Sequence, residues 1–162
     1  MVLKEGCEVR YKAADKLGYR GAVKIILKDA ESGETIKVIE KTNLLVDSGA
    51  NLLRDFLKGD SVSGLTHMAI GTGTTAPAGT DTQLENETYR QTFTDIAFDN
   101  RMLKLTIFVS SSAYVGDVSE MGLFGNGATD DPNTGTLFAR VTVPTFTKSS
   151  TETLTVEWTI NL

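Results

Sequence analysis

The chain has one histidine, one cysteine, one tryptophan and three prolines in 162 residues, and most of these scarcities exclude a class of chemistry. With Cys7 as the sole cysteine there is no internal disulfide and no structural zinc site built on thiolates. Cys7 reads as a free thiol, because a nucleophilic cysteine needs a base and the single imidazole, His67, lies far away in sequence. Paired histidines and HExxH-type metal motifs are ruled out by the same count, and histidine-based triads are strongly disfavoured. A lone histidine in a strand is more often a satisfied or surface residue than a ligand, so His67 is assigned no role.

Charge of one sign is also missing from any one place. Sixteen Lys and Arg stand against twenty-one Asp and Glu, a net charge of −5, and the cations are scattered singly. No basic stripe exists to neutralise phosphates, so nucleic acid is not an expected partner. No apolar run approaches the roughly 18–20 residues that span a bilayer, and the start, Met1-Val2-Leu3-Lys4-Glu5-Gly6, lacks the apolar core of a signal peptide. The expectation is a chain made in a cytoplasm, with no membrane partner.

What is present points to β structure. Hydrophobic residues at 40% and charged residues at 23% are enough for one packed core, and fifteen glycines imply many turns. Residues 1–20 mix charges and small residues without periodicity and read as an N-terminal arm. Residues 21–162 read as a single domain. Val23, Ile25 and Leu27 alternate with lysines, and after the polar turn Asp29-Ala30-Glu31-Ser32-Gly33 the alternation resumes from Thr35 to Lys41, which predicts a β-hairpin. Leu52, Leu53, Phe56 and Leu57 recur at helical spacing behind the N-cap candidates Asp47 and Ser48 and ahead of Gly59. A helix over about 48–58 follows, and its expected place is against one end or face of a sheet.

Further strands are predicted over Leu65–Ile70, Thr88–Phe98, Met102–Val109 and Val118–Phe124. The Thr88–Phe98 and Met102–Val109 segments are expected to form the longest hairpin. Two more strands close the chain, the first marked by Leu137, Ala139, Val141 and Val143, the second by Leu154, Val156, Trp158 and Ile160. The strict alternation of the last strand is that of a sandwich wall with one buried face. The fold class is therefore mainly β: an antiparallel β-sandwich, jelly-roll-like, with one short α-helix and an irregular N-terminal arm.

Three features invite a search for chemistry. The run Gly71-Thr72-Gly73-Thr74-Thr75-Ala76-Pro77-Ala78-Gly79-Thr80-Asp81 suggests a phosphate cradle, but it lacks the lysine, hydroxyl residue and helix N-terminus of a P-loop, and no βαβ unit surrounds it. It reads as a rigid hinge between a helix-bearing first half and a sandwich-forming second half. Glu120 interrupts an apolar strand. It is either a general acid or base or, preferably, a structural carboxylate that accepts from loop N–H groups or pairs with Arg90 or Arg140. Asp130, Asp131 and Asn133 are close oxygen donors, but they lack the spacing of a calcium loop and are ordinary turn formers. No catalytic, cofactor-binding or metal residue is assigned, and no cofactor is expected.

Together, Asn43-Leu44-Leu45-Val46-Asp47-Ser48-Gly49, Thr66 to Pro77, Asp81-Thr82-Gln83-Leu84, Glu120-Met121-Gly122-Leu123-Phe124, Leu137-Phe138-Ala139-Arg140 and the closing Thr153–Ile160 strand resemble a family of small structural proteins of tailed bacteriophages. The resemblance covers about residues 21–162. It implies a non-enzymatic virion component assembled in many copies, a homo-oligomer with a trimer among its candidate states. Its implied partners are other virion proteins, either major capsid or tail and baseplate subunits. Without a heptad, collagen or β-helix repeat for a shaft, a capsid-decorating cement protein is preferred to a tail or baseplate component. A carbohydrate-binding module is the alternative from another class; it would need exposed aromatics, whereas Trp158 has the parity of the buried face.

Overall fold

Two stretches of strict alternation, one near each end of the chain, pair with each other. In the computed structural model, which describes residues 18–162, β1 (Arg20–Asp29) lies antiparallel to β10 (Glu152–Asn161), with Val23 opposite Trp158 and Ile25 opposite Val156. On its other side β1 pairs with β2 (Thr35–Thr42), completing the expected hairpin. β10 pairs in turn with β7 (Met102–Val109), and β7 with β6 (Asp95–Asp99). This first sheet has the order β2-β1-β10-β7-β6.

The second sheet has the order β3-β9-β8-β4-β5, from β3 (Leu44–Leu45), β9 (Thr136–Lys148), β8 (Gly116–Gly125), β4 (Leu65–Gly71) and β5 (Glu87–Thr92). The two inner faces supply one core. Val23, Ile107, Val156 and Trp158 from the first sheet join Met68, Ile70, Met121 and Val141 from the second, all fully or almost fully buried. The predicted antiparallel β-sandwich is thus the observed fold. The indole Nε1 of Trp158 donates to Asn43 Oδ1 at 3.1 Å, and Asn43 donates through Nδ2 to the Tyr19 hydroxyl at 2.6 Å, so the polar end of the largest core side chain is satisfied.

The 88–98 segment is not one strand. Phe93 N–H donates to Thr66 O in the second sheet, and the next residue, Thr94, donates to Thr106 O in the first. The chain changes sheets between them, which is why the apolar parity reverses there. The β6–β7 hairpin is accordingly short, and the longer ladder is the one between β8 and β9.

The helix α1 (Asp47–Lys58) starts one residue earlier than expected, and its N-cap is Val46, with no side-chain cap. Both candidate caps fall inside the helix, and the side chain of Ser48 is engaged elsewhere. The Ser48 hydroxyl donates to Leu137 O on β9 at 2.7 Å, and Asp47 N–H donates to Gly79 O at 2.8 Å. Gly59 ends the helix in the left-handed conformation, with φ 90°, as its position predicts. The helix packs against β9 and shares walls with Leu103 and Ile160 at one mouth of the sandwich, so it does plug an end. The expected arm lies outside the described residues except for its last three, and the last of these, Arg20, already opens β1.

The segment after Gly71 is not a hinge between halves. It joins β4 to β5, neighbours in one sheet, while first-half strands β1 and β3 pair with second-half strands β10 and β9.

Candidate functional site

Sheet strands that are buried on both faces read as continuous apolar runs. β8 departs from that rule, because Val118 to Gly125 is buried throughout yet contains Ser119 and Glu120. Met121 and Leu123 fill the inner core, so Glu120, Gly122 and Phe124 face outward from the second sheet. Two loops, 72–86 and 126–135, cover that outer face.

Glu120 organises the first loop. Its Oε1 accepts from Gly73 N–H at 2.9 Å and Asn86 N–H at 2.7 Å, and its Oε2 accepts from Glu85 N–H at 3.0 Å. The guanidinium of Arg140, on the neighbouring strand β9, donates to the same Oε2 from Nε at 3.0 Å and Nη2 at 2.8 Å. Five donors on one buried carboxylate fill the roughly four lone-pair sites it has. Of the alternatives raised by the sequence, loop N–H groups and Arg140 are therefore the partners of Glu120; Arg90 is not.

Arg140 extends the network to Asp81, which accepts from Nη1 at 2.8 Å, and passes within 3.7 Å of Glu85. Burial works against the charge of Arg140, but hydrogen bonds to Asp81 and Glu120 outweigh it and hold its pKa above the ordinary value. Three carboxylates thus share one guanidinium. The missing positive charge comes from backbone N–H groups, those of Ala78 on Asp81 and Thr75 on Glu85 adding to the three on Glu120. Bonds from the Thr75 N–H and hydroxyl hold the Glu85 carboxyl below its ordinary range, more strongly than its partial desolvation raises it.

Apolar contact seats the same loop. Leu84 is buried with Val46, Ala69, Phe124 and Leu137 in a second small core on the outer face. A Cβ on Gly122 would stand 3.0 Å from Leu84 Cδ2, and one on Gly73 would stand 2.5 Å from Glu120 Oε1. The glycines of this region create close approach to a carboxylate and a leucine rather than a cradle for phosphate. A polar groove of about 350 Å³ borders Thr75, Asp81, Glu85 and Arg140 at the surface.

Arg90 and His67 fasten the second loop. Arg90 forms a two-pronged pair with Glu87, from Nε at 2.6 Å and Nη2 at 2.8 Å, and lies over the Phe124 ring at 4.0 Å. Its remaining nitrogen reaches Thr134 O at 2.8 Å. His67, buried under this loop, places Nε2 3.3 Å from Asp130. The Asp130 side chain itself is largely exposed. Among the described residues no group of three or more His, Cys, Asp or Glu side chains is arranged to hold a metal ion. Asn133, with φ 60°, serves the turn. Cys7 lies outside the described residues.

Sequence reasoning singled out Glu120 and the Gly71 run but not their union, and it missed Glu87–Arg90 and Asp81–Arg140. The available signal was Arg140 within the apolar run Leu137–Val143; Arg90 stands in the polar segment Glu87–Thr92 and gave none. Trp158 is fully buried and cannot form a sugar platform. The chain matches no family model, no curated protein and no solved structure.

Proposed function

We propose that this chain is a non-enzymatic structural protein of a tailed-phage virion, assembled in many copies and stabilising the particle through subunit contacts, with decoration of the capsid as its placement. One observation carries the reading. The blocks that resemble phage structural proteins, Ile70 to Gly73, Asp81 to Leu84, Glu120 to Phe124 and Leu137 to Arg140, meet in space as one staple that clamps loop 72–86 to the sandwich. Glu120, Arg140 and Asp81 hold a loop to the β-sandwich. Such a scaffold suits a subunit whose task is to present fixed surfaces to neighbours.

Quantitative mass spectrometry of gradient-purified particles of the encoding phage tests this. The chain is expected to co-purify at a copy number comparable to that of the major shell protein. Its absence from washed particles would overturn the reading, and a copy number of a few per particle would move it to the tail or baseplate.

A further inference from the structure

Three arginines are paired with carboxylates of the sandwich and its loops: Arg54 with Asp55, Arg90 with Glu87, and Arg140 with Glu120 and Asp81. Arg20 and Arg101 are different. Neither forms an ion pair among the described residues, and both line one polar groove of about 300 Å³. The first sheet brings them together. Arg20, at the start of β1, stands opposite Asn161 of β10, and Asn161 stands opposite Met102 of β7, the residue after Arg101. Asn100, with φ 49°, turns the chain into β7, and Leu162 N–H donates to Arg101 O at 3.1 Å, which fixes the Arg101 backbone beside the end of β10. Gly18, Asn161 and Leu162 complete the walls.

Two guanidinium groups in one groove repel each other unless an anion lies between them. Asp99, the acid nearest to Arg101 in sequence, pairs with neither. The groove also runs against the charge of the whole molecule, which is −5. An extended polyanion such as nucleic acid would be repelled by the rest of that surface. A single compact oxyanion meets only the groove. The planar fork of each arginine offers it parallel N–H donors, and the side-chain amide of Asn161 is a further, neutral donor in the same walls.

We propose that this groove binds a carboxylate displayed by a neighbouring protein, held between Arg20 and Arg101 with Asn161 beside them. The proposal rests on the virion reading for its partner, because the groups that meet a subunit in a particle belong to other protein subunits. Both arginines are exposed, so the grip of one copy is weak and gains strength from the number of copies engaged at once.

Titration of the full chain with the capped peptide acetyl-Asp-Glu-Asp-Glu-amide, followed by NMR of the arginine side-chain N–H groups, tests the site. Binding should saturate and should weaken at high salt. Arg20→Gln and Arg101→Gln, each with unchanged circular dichroism, should lower the affinity about tenfold or more. Lys28→Gln removes an exposed cation at the other end of β1 and should leave it unchanged. The neutral peptide acetyl-Asn-Gln-Asn-Gln-amide should not bind. Failure of the acidic peptide to saturate, equal losses in all three variants, or binding of the neutral peptide would each overturn the proposal. So would inorganic phosphate that binds the same arginines more tightly than the peptide, since the ligand would then be a phosphate group. The two readings fail separately. Peptide binding by a chain absent from purified particles would sink the virion reading alone, and a particle-bound chain that binds no acidic peptide would sink this site alone.

Discussion

Arg140 donates two hydrogen bonds, at 3.0 and 2.8 Å, to a single oxygen of Glu120 and leaves the other oxygen to the amides of Gly73 and Asn86. One carboxylate thereby joins strand β9 to loop 72–86. Removing Arg140 leaves the buried Glu120 charge to three amide N–H groups alone, a loss of about 3–5 kcal/mol, whereas removing Glu120 leaves Arg140 its bond to Asp81 but orphans those amides. Arg140→Met and Glu120→Gln should each destabilise strongly in urea unfolding. The double variant should lose less than the sum of the two, by about 1–3 kcal/mol. Additive losses would show that the pair is not coupled.

Gly73→Ala tests the close approach. Its Cβ would press on Glu120 Oε1 and on the Glu85 Cβ, both at 2.5 Å, so the loop must lift and give up the bonds to Glu120. A loss of about 2–4 kcal/mol is expected, in the range of overpacking combined with broken buried hydrogen bonds. Gly64→Ala, where an added Cβ meets nothing within 4 Å, should leave stability within about 0.5 kcal/mol of the wild type. Equal effects at the two sites would refute the packing argument.

Acidification should free the loop at Thr75. Bonds from Thr75 place the Glu85 pKa below its ordinary value, so between the folded and unfolded values the unfolded chain binds more protons. The contribution is complete above the unfolded value of about 4.3 and is lost as pH falls through the folded one. Hydrogen exchange at the Thr75 amide should accelerate over that window in the wild type, beyond its intrinsic pH dependence. In Glu85→Gln the amide should be less protected at neutral pH and lack that step. An identical step in both proteins would assign it elsewhere.

Lys148 predicts the opposite end of the scale. Its Nζ is buried and donates to Tyr114 O at 2.7 Å and to Ser111 O at 3.3 Å, and burial lowers its pKa against the pull of Glu152. The folded state gives up this proton first, so stability rises with pH from the folded value toward the unfolded one near 10.4. Lys148→Met should abolish that rise and loosen the loop around Ser111 and Tyr114. A rise that persists in the variant would contradict the assignment.

How much of this was legible in the sequence depends on the range of the interaction. The alternation of Leu154, Val156, Trp158 and Ile160 and the stop at Gly59 are local signals, and both hold in the structure. The break between Phe93 and Thr94 was missed: Ile96 and Phe98 take the parity opposite to Tyr89 and Phe93, but a period-two pattern cannot say that the two halves belong to different sheets. Capping failed for a tertiary reason, since the Ser48 hydroxyl found Leu137 O, eighty-nine residues away. For Glu120 the residue type gave warning of a buried charge, but its partners come from residues 73, 85, 86 and 140, which no spacing rule brings together.

Trp158, the single indole, reports on the core directly. Its emission should be that of a buried indole, should resist aqueous quenchers and should not respond to added sugars. A red-shifted, sugar-sensitive emission would revive the carbohydrate-binding alternative.

Cryo-electron imaging of intact particles, with the chain carrying a compact genetic fusion at its C-terminus, tests the central claim most directly. The account predicts regularly repeated extra density on the outer surface of the capsid shell, in particles that lose resistance to heat or osmotic shock when the gene is deleted. Particles with no added density, and unaltered robustness after deletion, would contradict it.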